Sequence, residues 1–308
     1  MTAARTRAYI QLLIVAIIWG IAGPVIKITL KNLTPEVFLL YRFFLASVAS
    51  VIILSRHKGQ RPKGLQMVLL TTLYAFLNST IGLGFLFWGA NSTSLLNLSL
   101  ISLFGPILMM LFGYLFLHEH LTKRMKIGAV ITFLGAATIA IEPLFVGASG
   151  NKLSGELLGN ILVFLSLVSG AFSGLLTKKL LRDGVSPAFL ANYSFIIGFL
   201  TMIPLVLYFK GPVEIWQMVT KAHLSDHLGV IYMAFVSGSI AYTLTNSAQK
   251  TIELSEAAIF SYLYPIFSAI LAVILLGEKI GWVTIVACFV TFAGVFVAEY
   301  KKRAQVKK

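Results

Sequence analysis

The sequence predicts an all-α integral membrane protein: ten transmembrane helices in two inverted five-helix repeats, with both termini in the cytoplasm. Three observations predict it. Of 308 residues, 58% are hydrophobic and 12% charged, with a mean hydropathy of +0.89. A soluble domain of this length needs far more polar surface. Ten apolar runs follow one another, each near the ~20 helical residues that cross a ~30 Å hydrocarbon core. Finally, the close of the first half recurs at the close of the second. Pro106, Leu117, Glu119, Thr132, Phe133 and Gly135 return as Pro265, Leu276, Glu278, Thr291, Phe292 and Gly294, each 159 residues on, and Ser102 returns as Ser261.

Taken in order, the runs are 9–30, 36–55, 66–88, 94–117, 124–142, 157–179, 188–209, 227–248, 256–276 and 281–299. The first follows Arg5 and Arg7 as a signal peptide would, but it is long and has no small-x-small cleavage site, so it reads as an uncleaved span. Gly23-Pro24 predicts a kink in it, because proline frees a carbonyl one turn back. Between runs seven and eight, 210–226 carries Gly211, Pro212 and mixed charge and reads as a surface loop, with an interfacial turn from Ile215 to Val219. No connection is long enough for a soluble domain.

Lys and Arg placement sets the orientation. Arg5, Arg7, Arg56, Lys58, Arg61, Lys63, Lys123, Arg124, Lys126, Lys178, Lys179, Arg182, Lys250 and the five basic residues of the tail fall on one side. Lys27, Lys31, Lys152, Lys210, Lys221 and Lys279 fall on the other. The net charge of +14 therefore sits in membrane loops and does not point to nucleic acid. An earlier block of the repeat, Lys27, Pro35, Tyr41 and Phe43, matches Lys179, Pro187, Tyr193 and Phe195 at a shift of 152. The halves are thus 8–145 and 154–300, followed by a basic cytoplasmic tail, 301–308. Five spans per half is an odd number, so matching helices must cross in opposite directions. Inverted repeats of this kind support alternating access around a midplane site.

Trp19-Gly20, Lys27, Pro35 and Arg42 resemble the opening of an EamA repeat, and the Pro106…Leu117-His118-Glu119…Gly135 and Pro265…Leu276-Gly277-Glu278…Gly294 stretches resemble its close. Over nearly its whole length the chain is similar to the ten-helix EamA members of the drug/metabolite transporter superfamily. The resemblance implies a bacterial or archaeal inner-membrane carrier, commonly an exporter of amino acids or other small metabolites, working as a monomer or homodimer. It also implies that helices 1–4 and 6–9 surround a central cavity, with 5 and 10 peripheral. The second repeat departs from the pattern, with Ala171-Phe172 for Trp-Gly and Ser194 where the first half has Arg42.

Candidate binding residues follow from polar and aromatic side chains inside apolar runs. Arg42 lies about two turns into its span, where a guanidinium is costly unless paired or hydrated. It reads either as a fork for a substrate carboxylate or phosphate, or as a group that snorkels outward or binds loose carbonyls at the Pro24 break. Lys27 joins it in a basic vestibule or snorkels to the interface. Tyr74, Asn78, Trp88, Asn91 and Asn97 form an amide and aromatic set on spans three and four. Tyr242, Asn246 and Gln249 form another on span eight. Spacings of three and four put such residues on one helix face, lining a pocket or bonding between helices. Among further aromatics, Trp19 and Tyr262 are expected at the pocket and Tyr41, Tyr193 and Tyr264 in interfacial belts.

No acid falls near the middle of a span; Glu36, Glu142, Glu156, Glu253 and Glu256 are at or near ends. That favours facilitated diffusion or exchange over a proton relay, with Glu256 the remaining coupling candidate. Without a P-loop, ATP drive is not expected, and no cofactor or metal is implied. The His118-Glu119-His120 corner splays its side chains, and Glu119 and Glu278 read as caps of the helices they precede. Cys288 reads as a small core residue. Gly82, Gly84, Gly170 and Gly174 read as close-packing positions. Two alternatives remain: broad efflux of hydrophobic drugs, and an intramembrane enzyme on lipid-linked substrate, which would need clustered acids or histidines.

Overall fold

A computed structural model describes residues 3–56, 60–117, 123–140, 150–252, 254, 257, 260, 261, 263–277 and 281–299. The described residues form helical rods: α1 (Ala3–Thr29), α2 (Pro35–Arg56), α3 (Leu65–Ser92), α4 (Leu95–Leu117), α5 (Lys123–Ala140), α6 (Gly150–Arg182), α7 (Pro187–Lys221), α8 (Leu224–Thr251), α9 (Leu263–Leu276) and α10 (Trp282–Glu299). Seven of them, α1–α4 and α6–α8, are long and apolar enough to cross a membrane. Their outward faces carry the apolar stripe that lipid requires; on α1 it is Ile10, Leu13, Ile14, Ile17, Ile21 and Ile28. The chain is a multi-pass membrane protein.

The expected loop at 210–226 is instead mostly helix. Gly211 takes a positive φ of 68°, which turns the chain, and Pro212 then begins a new helical stretch to Lys221 because its fixed φ suits a first turn. Ile215, Met218 and Val219 of this stretch pack back on the core while Val213 and Trp216 stay exposed. The next rod, α8, starts three residues later, so Asp226 is a helix residue and not a loop residue.

Packing pairs up across the two halves. α1 lies against α8 and α9, and in the matching arrangement α6 lies against α3 and α4. α2 packs on α7, α4 on α9 and α5 on α10. The α2–α7 pair runs antiparallel: Phe43 meets the Phe195 ring at 6.3 Å, while Ser50, further along α2, donates to Asn192, earlier on α7, at 2.9 Å. Small residues allow the closest crossings. A methyl on Gly23 would collide with the Ser268 hydroxyl, and one on Gly294 with the Thr132 amide.

Two π-helical stretches interrupt the corresponding third helices, Phe76–Leu83 in α3 and Tyr232–Ile240 in α8. The wider turn brings each glycine near the carbonyl five residues back. A Cβ on Gly82 would stand 2.9 Å from Leu77 O, and one on Gly238 2.9 Å from Met233 O. Each stretch also receives a side-chain hydrogen bond from the first helix of the opposite half. Ser169 donates to Leu77 O at 2.8 Å, and the Trp19 indole donates to Ser237 O at 3.0 Å. Carbonyls displaced from the α pattern need such partners in an apolar medium.

Candidate functional site

Between the halves lies a cavity of about 290 Å³, walled by α1, α2, α3, α4, α6, α8 and by Ala257, Phe260, Ser261 and Ser268. Among the described residues, none of α5, α7 or α10 lines it. The resemblance implies helix 7 in the wall; here α7 stands behind α2 and supplies Ser194, which lies beside the Tyr74 hydroxyl. The wall reaches from Leu12 to Ile26 on α1, about 21 Å at ~1.5 Å per residue.

Six of the predicted binding residues stand on this wall: Trp19, Arg42, Tyr74, Asn78, Tyr242 and Asn246. Gln249 joins them. Trp88 does not line the cavity. Its indole donates to Glu36 at 2.9 Å, because α3 ends alongside the start of α2. Asn97 is buried in the first turn of α4, its backbone N–H donating to the Ser94 hydroxyl at 3.0 Å, and it too is absent from the wall. Tyr262 lies outside the described residues, as do His118, Glu119, His120, Glu142, Glu253, Glu256 and Glu278; the side chain of Cys288 is likewise undescribed.

Arg42 is the only charged side chain among the described wall residues. It is 1% exposed, and its Nε and Nη1 have no hydrogen-bond partner. Its neighbours are rings: Phe87 and Phe43, with centroids 5.7 and 6.0 Å from the guanidinium carbon, and Tyr242. Cation–π contact offsets part of the desolvation but satisfies no N–H. Tyr242 is held edge-on between Trp19 at 5.3 Å and Phe195 at 5.7 Å. Both halves thus build one aromatic wall around a cation with vacant donors.

Lys27 neither snorkels nor joins Arg42. Its ammonium donates to Thr93 O at the end of α3, where helix carbonyls lack intrahelical partners. The second half repeats this device with a shift of one residue. Lys178, not the motif-matched Lys179, is 7% exposed and donates to Gln249 O at 2.7 Å and to Ile252 O at the end of α8. Lys179 faces outward. Lys178 is therefore a buried cap rather than a loop charge.

At the end of the bundle remote from the N-terminus, a polar layer ties the helices together. Asn32 donates to both oxygens of the buried Asp226 at 3.0 and 3.3 Å. Tyr41 bonds His227 at 3.2 Å, and Thr93 donates to Asn160. Nothing in the sequence singles out Asp226, because its surroundings read as loop. Only its position three residues after His223, with a helix starting between them, marks it as a first-turn cap.

Serines are the larger omission. Ser99, Ser102, Ser166, Ser173, Ser237, Ser261 and Ser268 all line the cavity. The repeat pair Ser102 and Ser261 is the one signal available for them. Gly170 corrects another expectation: a Cβ there meets nothing within 4 Å, so it opens onto the cavity, whereas Gly174 packs on Met109.

Helices of this order around a shared central cavity, packed in matched pairs across two halves, agree with the profile of the EamA-like transporter family, which matches residues 6–141 and 157–300. The chain belongs to the EamA-like transporter family. Among its relatives, the uncharacterized transporter YyaM of Bacillus subtilis is 24% identical over 96% of this chain and 97% of its own. A protein named a probable amino-acid metabolite efflux pump in Salmonella typhimurium is 24% identical over 96% of this chain and 95% of its own. One of the same name in Escherichia coli K12 is 22% identical over 92% of each. A solved crystal structure superposes with a TM-score of 0.66 at 15% identity, covering 96% of this chain and 98% of that one, which shows a shared fold.

Proposed function

We propose that this EamA-family protein is a secondary carrier, and not an enzyme, that exports small metabolites such as amino acids by alternating access. In this reading it makes ten crossings of a bacterial or archaeal cell membrane as two inverted five-helix repeats, with both termini in the cytoplasm. The observation that carries the substrate class is Arg42, a desolvated guanidinium on the cavity wall with vacant donors. A carboxylate is the group that fills such a fork with two parallel bonds. The antiparallel α2–α7 pair and the exchange-matched packing support the inversion. The relatives' names support export.

The polar layer at the far end and a cavity running toward the N-terminal end support a state closed on one side and accessible from the other. Swapping which end is tied would carry the cargo across. With no carboxylate among the described wall residues, exchange or facilitated diffusion fits better than a dedicated proton relay. Uptake of radiolabelled amino acids into inverted vesicles is the test; no saturable uptake of any of them would reject the substrate class. Because apolar side chains such as Leu12, Leu83, Met109 and Met233 also line the wall, efflux of hydrophobic drugs is the second reading. Arg42→Ala separates the two, since drug efflux would survive it.

A further inference from the structure

The polar groups of the wall divide by hydrogen-bonding sense. A hydroxyl has one proton and two lone pairs. On α6, Ser166 donates to Val163 O at 2.6 Å and Ser173 to Gly170 O at 3.0 Å. On α4, Ser99 donates to Leu95 O and Ser102 to Leu98 O, both at 2.7 Å. With those protons spent on their own helices, these oxygens present acceptors to the cavity. The unpartnered nitrogens have the opposite sense: Arg42 Nε and Nη1 and Asn78 Nδ2 are donors. Asn78 and Ser173 share one level of the bundle. α3 and α6 run antiparallel, with Gly89 against Val163 and Gly82 against Ser169, so Asn78, one turn before Gly82, faces the turn of Ser173.

Room for a ligand lies on the α6 side. Gly170, between Ser166 and Ser173 on the same face, opens onto the cavity, and a methyl added there would meet nothing within 4 Å. The counterpart of Trp19 is Ala171, which also lines the wall and leaves space where the first half places an indole.

We propose that the Ser166–Gly170–Ser173 face of α6 is the subsite that reads the cargo's amino group, through neutral oxygen acceptors. This rests on the carrier reading above. The cargo class is a zwitterionic α-amino acid whose carboxylate meets Arg42 and whose N–H groups meet one of these serine oxygens, which stand two turns, about 10 Å, apart on α6. The amine is recognised as a hydrogen-bond donor rather than neutralised by an acid. A site whose buried acceptors expect N–H donors rejects an analogue that lacks them.

The test uses the full chain in liposomes and a panel of radiolabelled neutral L-amino acids, each paired with its desamino carboxylate. The wild type is expected to prefer the amino acid by tenfold or more, and Arg42→Gln to lose both members of each pair. The double variant Ser166→Ala/Ser173→Ala should bring the pair to within about twofold while keeping desamino uptake, which also reports that it is folded. Gly170→Leu should block both by filling the open space. If the double variant keeps the full preference, or the wild type carries both members equally, the subsite is wrong and the carrier reading stands. Should the wild type carry no member of any pair, the amino-acid reading falls and the subsite with it.

Discussion

The first and second halves share a frame and divide the chemistry. Both place a π-helical stretch with a close-packed glycine in the third helix, and both cap the end of that helix with a lysine from the first. Yet Arg42 faces Ser194 across the repeat, and Trp19 faces Ala171. One half supplies the cation and the indole; the other supplies the open space at Gly170 and the Ser166 and Ser173 acceptors. Features that hold the bundle together are duplicated, because both halves face the same packing problem. Features proposed to touch the cargo are not, as suits a small cargo with unlike ends that binds once at the centre.

The strongest way to break this comparison is to remove the unshared charge. Arg42→Met should cut carboxylate transport by more than a hundredfold and at the same time raise the melting temperature in detergent. An unpaired buried guanidinium destabilises the fold, and apolar replacement of buried charges is often neutral or stabilising by ~1–4 kcal/mol. A lowered melting temperature would show that Arg42 serves the fold. Next come the shared glycines. Gly82→Ala and Gly238→Ala each push a methyl against a carbonyl 2.9 Å away, which should cost about 1–3 kcal/mol and slow transport roughly tenfold. Equal losses in the two halves sharpen the symmetry; a loss confined to one breaks it.

The lysine caps should act more weakly. Lys27→Met and Lys178→Met each leave helix-terminal carbonyls unmatched, at a cost of about 1–3 kcal/mol, measurable by thermal unfolding, while Lys179→Met should change nothing. Smallest is Trp19→Phe, which keeps a ring beside Tyr242 but loses the bond to Ser237 O; a two- to threefold rise in KM with normal folding is expected.

These comparisons also show what a linear reading reaches. Apolar runs, the repeat and Arg42 are legible because lipid demands length and tolerates few charges, so each exception stands out. Two of the binding candidates, Trp88 and Asn97, lie off the wall, and the Trp88 indole is drawn to Glu36, a contact that no periodicity announces. Lys178 is hidden for a related reason. The motif pairs Lys27 with Lys179, but a one-residue shift in α6 decides which ammonium reaches the α8 carbonyls. The cavity serines do not stand out because hydroxyls in apolar helices usually bond their own backbone. Ser99, Ser102, Ser166 and Ser173 do so here as well, and what they then show the cavity depends on the face they occupy.

The crossing of Gly294 over Thr132 has a consequence for how the chain is made. α5 leaves the ribosome well before its partner α10 exists; at roughly 5–20 residues per second it waits on the order of ten seconds or more in the bilayer with its packing face against lipid. The same holds for α2 before α7 and α4 before α9. A nascent first half therefore has its helices but not their partners, so early release or a stalled synthesis should yield a fragment open to proteolysis and to pairing with other half-built chains.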